Sequence, residues 1–157
     1  MPRNTPVRLV MTTDVITLHP QDTVEHAARV LTEAGIGGAP VVDDDATLVG
    51  LLEDDDLIVQ DARLHFPTVI SVLGGYLELP SSVQRFEDEL RRAVGVTVAD
   101  VMTREPATCT EEDTLEAVAT ILHERRLSRL PVVRDGKLVG VVSRGDLVRD
   151  IVADTRG

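Results

Sequence analysis

Residues 128–147 read SRLPVVRDGKLVGVVSRGDL, and residues 37–57 read GGAPVVDDDATLVGLLEDDDL. Each stretch holds two β-branched runs joined by a polar turn, then a polar residue, two intervening positions and an aspartate, Asp146 or Asp56. Runs of this length and composition predict a pair of short strands, and Asp135-Gly136 is a strong hairpin signal between the second pair. The two copies differ at their ends: Glu53 stands where Ser143 stands, and Gly38 where Arg129 stands.

The likeness extends backwards. A displacement of 91 positions, Pro40 onto Pro131, lays VMTTDVITLHPQDTVEHAARVLTEAGIGGAPVV over VMTREPATCTEEDTLEAVATILHERRLSRLPVV. Met11, Thr12, Thr17, Asp22, Thr23, Glu25, Leu31 and Val41 are among the residues that recur identically. After one gapped position, Leu48-Val49-Gly50 matches Leu138-Val139-Gly140. Two copies of one unit are expected to form one domain.

Each copy has the same grammar. An extended stretch, Ile16 to Leu18 or Ala107 to Cys109, precedes Asp22 or Asp113, each with a glutamate three places on, the pattern of a capping box. Helical spacing of apolar residues follows, at Val24, Ala27, Ala28, Leu31 and Ala34 and at Leu115, Val118, Ala119 and Leu122. Gly35 is placed to end the first helix in a left-handed turn. Strands are predicted at 39–42, 48–52, 130–133 and 137–142, and a last short helix near Asp54 or Arg144. The fold class is therefore α+β, a sandwich of two β-α-β-β-α repeats at 7–60 and 98–154, with 61–97 as an insert. A single copy would leave an apolar sheet face in water, so the repeats are expected to pack sheet to sheet about a pseudo-twofold axis, creating two related clefts.

The sequence resembles a tandem pair of cystathionine-β-synthase (CBS) domains, a Bateman module, through VMT at 10–12 and 101–103, APVVD and LPVVR, GLL and GVV, and the closing Ser143-x-x-Asp146. The resemblance implies that adenosine-containing ligands such as AMP, ADP, ATP or S-adenosylmethionine bind in the clefts, and that occupancy is relayed to a partner.

For the cleft of repeat 2 the resemblance implies Thr103, Ala107, Thr108, Leu127, Ser128, Arg129, Leu130, Pro131, Ser143, Arg144 and Asp146. Asp146 would accept from the ribose hydroxyls, Ser143 and the helix amides would face phosphate, and Arg129 would reach the phosphate. The adenine would rest on Ala107, Leu127 and Leu130, with Thr103 and Thr108 as polar contacts. The plainer reading of Ser143-x-x-Asp146 is a helix cap, and of Arg129 a solvated strand start.

For repeat 1 the corresponding set is Thr12, Ile16, Thr17, Gly38, Ala39 and Asp56. Here Glu53, Asp54, Asp55 and Asp56 put four carboxylates in a row. Close like charges repel by on the order of 1 kcal/mol per pair even in water, so a bare phosphate is disfavoured. The expectations that remain are an empty cleft, a nucleoside or cationic ligand, Mg²⁺ accompanying a nucleotide, or simply an acidic surface turn. No resident cofactor or metal is expected otherwise.

The bulk properties agree. A formal net charge of -11 argues against nucleic acid or an anionic membrane as partner, and 2% aromatic residues leave few rings for base stacking. No run is long and apolar enough for a membrane span or a signal peptide, so the cytoplasm is the expected address. Cys109 is the only cysteine and is read as a small core residue. His19, His26, His65 and His123 show no metal-ligand spacing, and no nucleophile or P-loop motif occurs, so catalysis is not expected.

The insert is apolar, with Phe66, Val69, Ile70, Leu73, Tyr76 and Leu77, followed by an amphipathic pattern from Ser82 through Val83, Phe86, Leu90 and Val94. It reads as padding or as a homodimer or partner face. Because the repeats run almost to Gly157, an unidentified separate effector is expected to receive the output. The alternative function is a dimeric interaction scaffold with vestigial clefts.

Overall fold

The computed structural model describes residues 4–57 and 96–156. In chain order it contains a 3₁₀ turn at Val7–Leu9, α1 at Val24–Ala34, β1 at Gly38–Val42, β2 at Leu48–Glu53, α2 at Val98–Val101, β3 at Thr103–Arg104, α3 at Leu115–Glu124, β4 at Arg129–Arg134, β5 at Lys137–Ser143 and α4 at Arg144–Arg156. Residues 54–57 are also helical. The apolar stretch 66–80, the helix expected from Ser82 and His65 lie outside the described residues.

The predicted hairpins form. β1 pairs antiparallel with β2 and β4 with β5, and each ladder shifts register at the same place, Val41/Val42 and Val132/Val133. Asp135 and Gly136 both have positive φ, 53° and 80°, the tight turn that this dipeptide favours. The longer first turn is closed by Asp43, whose Oδ1 accepts from the Asp45 and Thr47 amides, with Ala46 at φ 63°. That extra residue is the gap between the copies.

Both main helices bury the centre of the predicted stripe, Ala27 and Leu31 on α1 and Leu115, Val118 and Leu122 on α3, whereas Val24 and Ala28 are half-buried and Ala34 and Ala119 are exposed. Their N-caps are one residue later than the sequence pattern suggests. Thr23 accepts from the His26 amide and Thr114 from the Ala117 amide. Asp22 and Asp113 instead accept from the amides of His19 and Thr110, closing the turn before the helix. The pre-helix turn uses the carboxylate and leaves the cap to the hydroxyl. Gly35 ends α1 with φ 66°, and Arg126 takes the same left-handed conformation after α3 with φ 55°. The closing helix is also longer than expected, since α4 has 13 residues.

The sheets exchange their edges. Leu18 bridges β1 in parallel and Cys109 bridges β4 in parallel, each from the end of its own copy's first extended stretch. The opposite edge of each sheet comes from the other copy: β3, which opens repeat 2, pairs with β2, while Thr12 pairs with Val141 of β5. Two glycines permit the crossing. A Cβ on Gly140 would lie 2.8 Å from Met11 Sδ and 2.9 Å from the Thr12 carbonyl, and one on Gly50 would collide with Met102 Sδ.

The exchange continues into the helices. The Val7 amide donates to Asp113 O and the Leu115 amide to Thr5 O, mirrored by Val98 to Asp22 O and Val24 to Val96 O. Each core follows the same rule, since Val7, Val10 and Met11 complete the core of repeat 2 while Val98, Val101 and Met102 complete that of repeat 1. This reciprocity expresses the pseudo-twofold relation.

Candidate functional site

A further contact between the copies joins their hairpin turns. The Leu48 amide donates to Gly136 O, the Leu138 amide to Ala46 O, and Lys137 Nζ to Asp45 O at 2.7 Å and Thr47 Oγ1 at 3.0 Å. The opposite ends of the strands hold the candidate site. There β4 begins at Arg129, opposite Ser143, and β1 begins at Gly38, opposite Glu53.

Ser143 and Asp146 form a reciprocal cap on α4. The Ser143 amide donates to Asp146 Oδ2 at 2.8 Å, and the Asp146 amide donates to Ser143 Oγ at 3.3 Å. The other carboxylate oxygen, Oδ1, pairs with Arg149. Asp146 is 5% exposed and is the only buried charged residue among the described residues. A buried carboxylate needs such partners, because burying it unpaired costs several kcal/mol. The plain reading as a cap is therefore realised, and any ribose that uses Oδ1 has to displace the exposed Arg149 side chain.

The equivalent turn in repeat 1 keeps only half of this cap. The Glu53 amide donates to Asp56 Oδ2 at 2.9 Å, but glutamate supplies no hydroxyl for the return bond. Burial raises the pKa of Glu53; the Arg129 charge and hydrogen bond pull it back, while Asp54 and Asp56 add to the rise. Asp56 is likewise raised, first by burial, against the bond from the Glu53 amide and with Asp55 and Asp54 adding to the rise. This turn is held against its own repulsion.

Arg129 departs most from expectation. Its Nε donates to Glu53 Oε1 at 3.1 Å and a terminal nitrogen reaches Gly38 O at 3.4 Å, so its guanidinium is committed across the copy boundary. The side chains of this pair are 16% and 22% exposed. The neighbouring glycines make room: a Cβ at Gly37 would lie 3.1 Å from the guanidinium, and one at Gly38 would meet the Glu53 carboxylate and, at 2.8 Å, Leu52 O. Arg129 is thus neither a solvated strand start nor a free arginine waiting for phosphate, but half of a partly buried inter-repeat ion pair.

The other expected positions divide. Ser128 is exposed and its carbonyl accepts from the Arg144 amide, while Arg144 Nε donates to Leu127 O at 2.8 Å. Ala107 and Leu127 are half-buried against the core and Thr108 is exposed. Leu130 is fully buried and Pro131 accepts from the Cys109 amide, so these two offer backbone rather than side-chain surface. Thr103 sits opposite Leu51 in the sheet of repeat 1, and Thr12 belongs to the sheet of repeat 2, so these two exchange the groups to which the sequence assigned them. Ile16 is 42% exposed, Thr17 half-buried, and Ala39 fully buried.

Cys109 is a core residue, as its sequence context implies. Burial, with Asp113 adding to it, pushes the thiol up to about 12. Among the described residues no three His, Cys, Asp or Glu side chains converge to hold a metal, and no helix is long and apolar enough to cross a membrane. Sequence reasoning missed Arg149, whose spacing of three from Asp146 is a local signal, and the partner of Arg129, for which no local signal exists.

The CBS domain family model matches residues 7–62 and 98–153. The chain is 39% identical over 145 residues to the chloroplastic CBS domain-containing protein CBSX1 of Arabidopsis thaliana, covering 87% of this chain and 58% of that protein. It thus spans little more than half the length of that relative. Residues of the inosine-5'-monophosphate dehydrogenase of Methanocaldococcus jannaschii are 30% identical over 142 positions, but these make up 22% of that enzyme. Among solved structures, CBSX2 in complex with AMP superposes with a TM-score of 0.73 at 31% identity, covering 96% of this chain and 98% of that one. CBSX2 from Arabidopsis thaliana in a separate crystal structure gives 0.72 at 30% identity, covering 97% of each. The chain belongs to the CBS domain family and forms a tandem CBS pair.

Proposed function

We propose that the chain is a regulatory module that takes an adenosine-containing ligand, AMP, ADP, ATP or S-adenosylmethionine, in the cleft built by repeat 2, and relays its occupancy to a partner protein. The observation that carries this reading is Asp146. It is a buried carboxylate at the start of a long helix, next to a hydroxyl and an exposed arginine, and a carboxylate so placed can accept hydrogen bonds from ribose hydroxyls. The complex of CBSX2 with AMP supports adenosine as the ligand class. Mg²⁺ enters only with a nucleotide. The module itself performs no catalysis, assembles as a homodimer through the insert, and works in the cytoplasm.

A second reading, a scaffold with vestigial clefts, has one observation in its favour: the charges of Arg129 and Asp146 are already satisfied within the protein. A thermal-shift series with AMP, ADP, ATP, S-adenosylmethionine and adenosine, with and without Mg²⁺, separates the two. Ligand at 100 times its dissociation constant stabilises by roughly 2.7 kcal/mol, several degrees for a chain of this size. The sensor reading requires a shift that disappears in Asp146→Ala, and no shift with any ligand leaves the scaffold.

A further inference from the structure

Arg129, at the start of β4, is held by two groups of the other repeat. Arg129 and Ser143 are cross-strand neighbours, so an anion at the start of α4 that uses Arg129 lies between the two. The same guanidinium is 3.1 Å from Glu53 and touches Gly38 O. Any anion docking on it comes within about one Debye length, roughly 8 Å, of the Glu53 carboxylate, on which Asp54 and Asp56 also act. The pair is partly buried, so screening is weaker there than between exposed charges.

We propose, building on the adenosine reading above, that Glu53 is the specificity residue of the module: by neutralising Arg129 across the repeat boundary it disfavours phosphorylated ligands and favours adenosine ligands whose 5' substituent is uncharged or cationic. Three features support a built pair rather than a chance surface contact. Its two side chains are largely buried, Gly37 and Gly38 leave it the space that a Cβ would fill, and the guanidinium makes a second bond to backbone of the other repeat. An arginine held by a carboxylate and a carbonyl presents little net positive charge, and a phosphate can win it only by leaving Glu53 uncompensated beside Asp54 and Asp56. The raised pKa of Glu53 shows that this carboxylate already resists its charge where it stands.

The test is calorimetric titration of the full chain with adenosine and with AMP at fixed ionic strength, comparing the parent with Glu53→Gln and with the double variant Glu53→Gln, Arg129→Gln. Glutamine keeps the shape and an acceptor for the arginine while removing the charge. The parent is expected to bind adenosine at least as tightly as AMP. Glu53→Gln is expected to raise AMP affinity relative to adenosine at least tenfold, and the double variant to lose that gain. A parent that prefers AMP, an unchanged ratio in Glu53→Gln, or a gain that persists in the double variant overturns the assignment while leaving the adenosine reading intact. Binding of neither compound to any of the three proteins overturns both. Circular dichroism of each variant separates loss of binding from loss of fold.

Discussion

The turns at 53–56 and 143–146 occupy the same place in the two repeats and have been put to different uses. Ser143 and Asp146 satisfy each other in both directions and leave one carboxylate oxygen to the exposed Arg149 of the same helix. Glu53 and Asp56 share a single bond, repel their neighbours, and depend on an arginine from the other repeat. The lesson is that duplication supplies two equivalent positions, and one residue at each decides whether the turn satisfies itself or draws on the other repeat.

The comparison presumes that the repeats are locked into one another, and this is where it breaks most easily. Gly50→Val and Gly140→Val each place side-chain atoms against a methionine sulfur and a carbonyl of the other copy, and backbone cannot yield as a side-chain end can. Each is expected to cost about 2–3 kcal/mol in urea unfolding. An unchanged midpoint in both would break the claim that each copy's opening residues complete the other's sheet.

The next test addresses the two aspartates directly. Asp146→Ala removes the acceptor of the Ser143 amide and the Arg149 partner, and is expected to cost about 1–2 kcal/mol. Asp56→Ala loses one bond but relieves repulsion from Asp54 and Asp55, so about 0.5 kcal/mol or less is expected. Equal losses would erase the distinction between the turns.

A pH series sharpens it further. A carboxylate whose pKa is raised on folding contributes stability that is complete below its unfolded value and is lost as pH rises through the folded one. For Glu53 that window opens above its ordinary value near 4.5. The parent should therefore lose stability relative to Glu53→Gln as pH rises from about 4.5 towards neutrality. A difference that does not change with pH, or one that runs the other way, contradicts the role given to burial.

The smallest effect concerns the helix ends. Gly35 and Arg126 adopt the same left-handed conformation at equivalent positions, but only glycine does so without a steric cost. Arg126→Gly is expected to stabilise the protein by about 0.5–1 kcal/mol in the same urea assay. A loss of stability would mean that the Arg126 side chain contributes more than its backbone costs.

Much of this fold was legible in the sequence, because it is carried by local patterns. The Asp-Gly turn, the alternation of β-branched residues and the helical stripes each act within a few positions, and all four strands and both main helices formed as those patterns imply. The N-caps were misplaced by one because Asp-Thr offers two capping groups in succession, and only the fold of the preceding turn decides between them. The edge exchange was not legible at all. Thr12 and Thr103 read as members of their own repeats, yet pair with the other, since nothing local records which of two pseudo-equivalent edges a strand joins. Glu53 and Arg129 were noticed singly, but they meet across 76 positions of sequence. Read from sequence, two departures from the repeat looked independent, whereas in space each compensates the other.

The most direct test of the account is the stoichiometry of adenosine binding by calorimetry, repeated in Asp146→Asn and Asp56→Asn. The account predicts one ligand per chain, lost in Asp146→Asn and retained in Asp56→Asn. Two equivalent ligands per chain, or a single ligand lost only in Asp56→Asn, would contradict it.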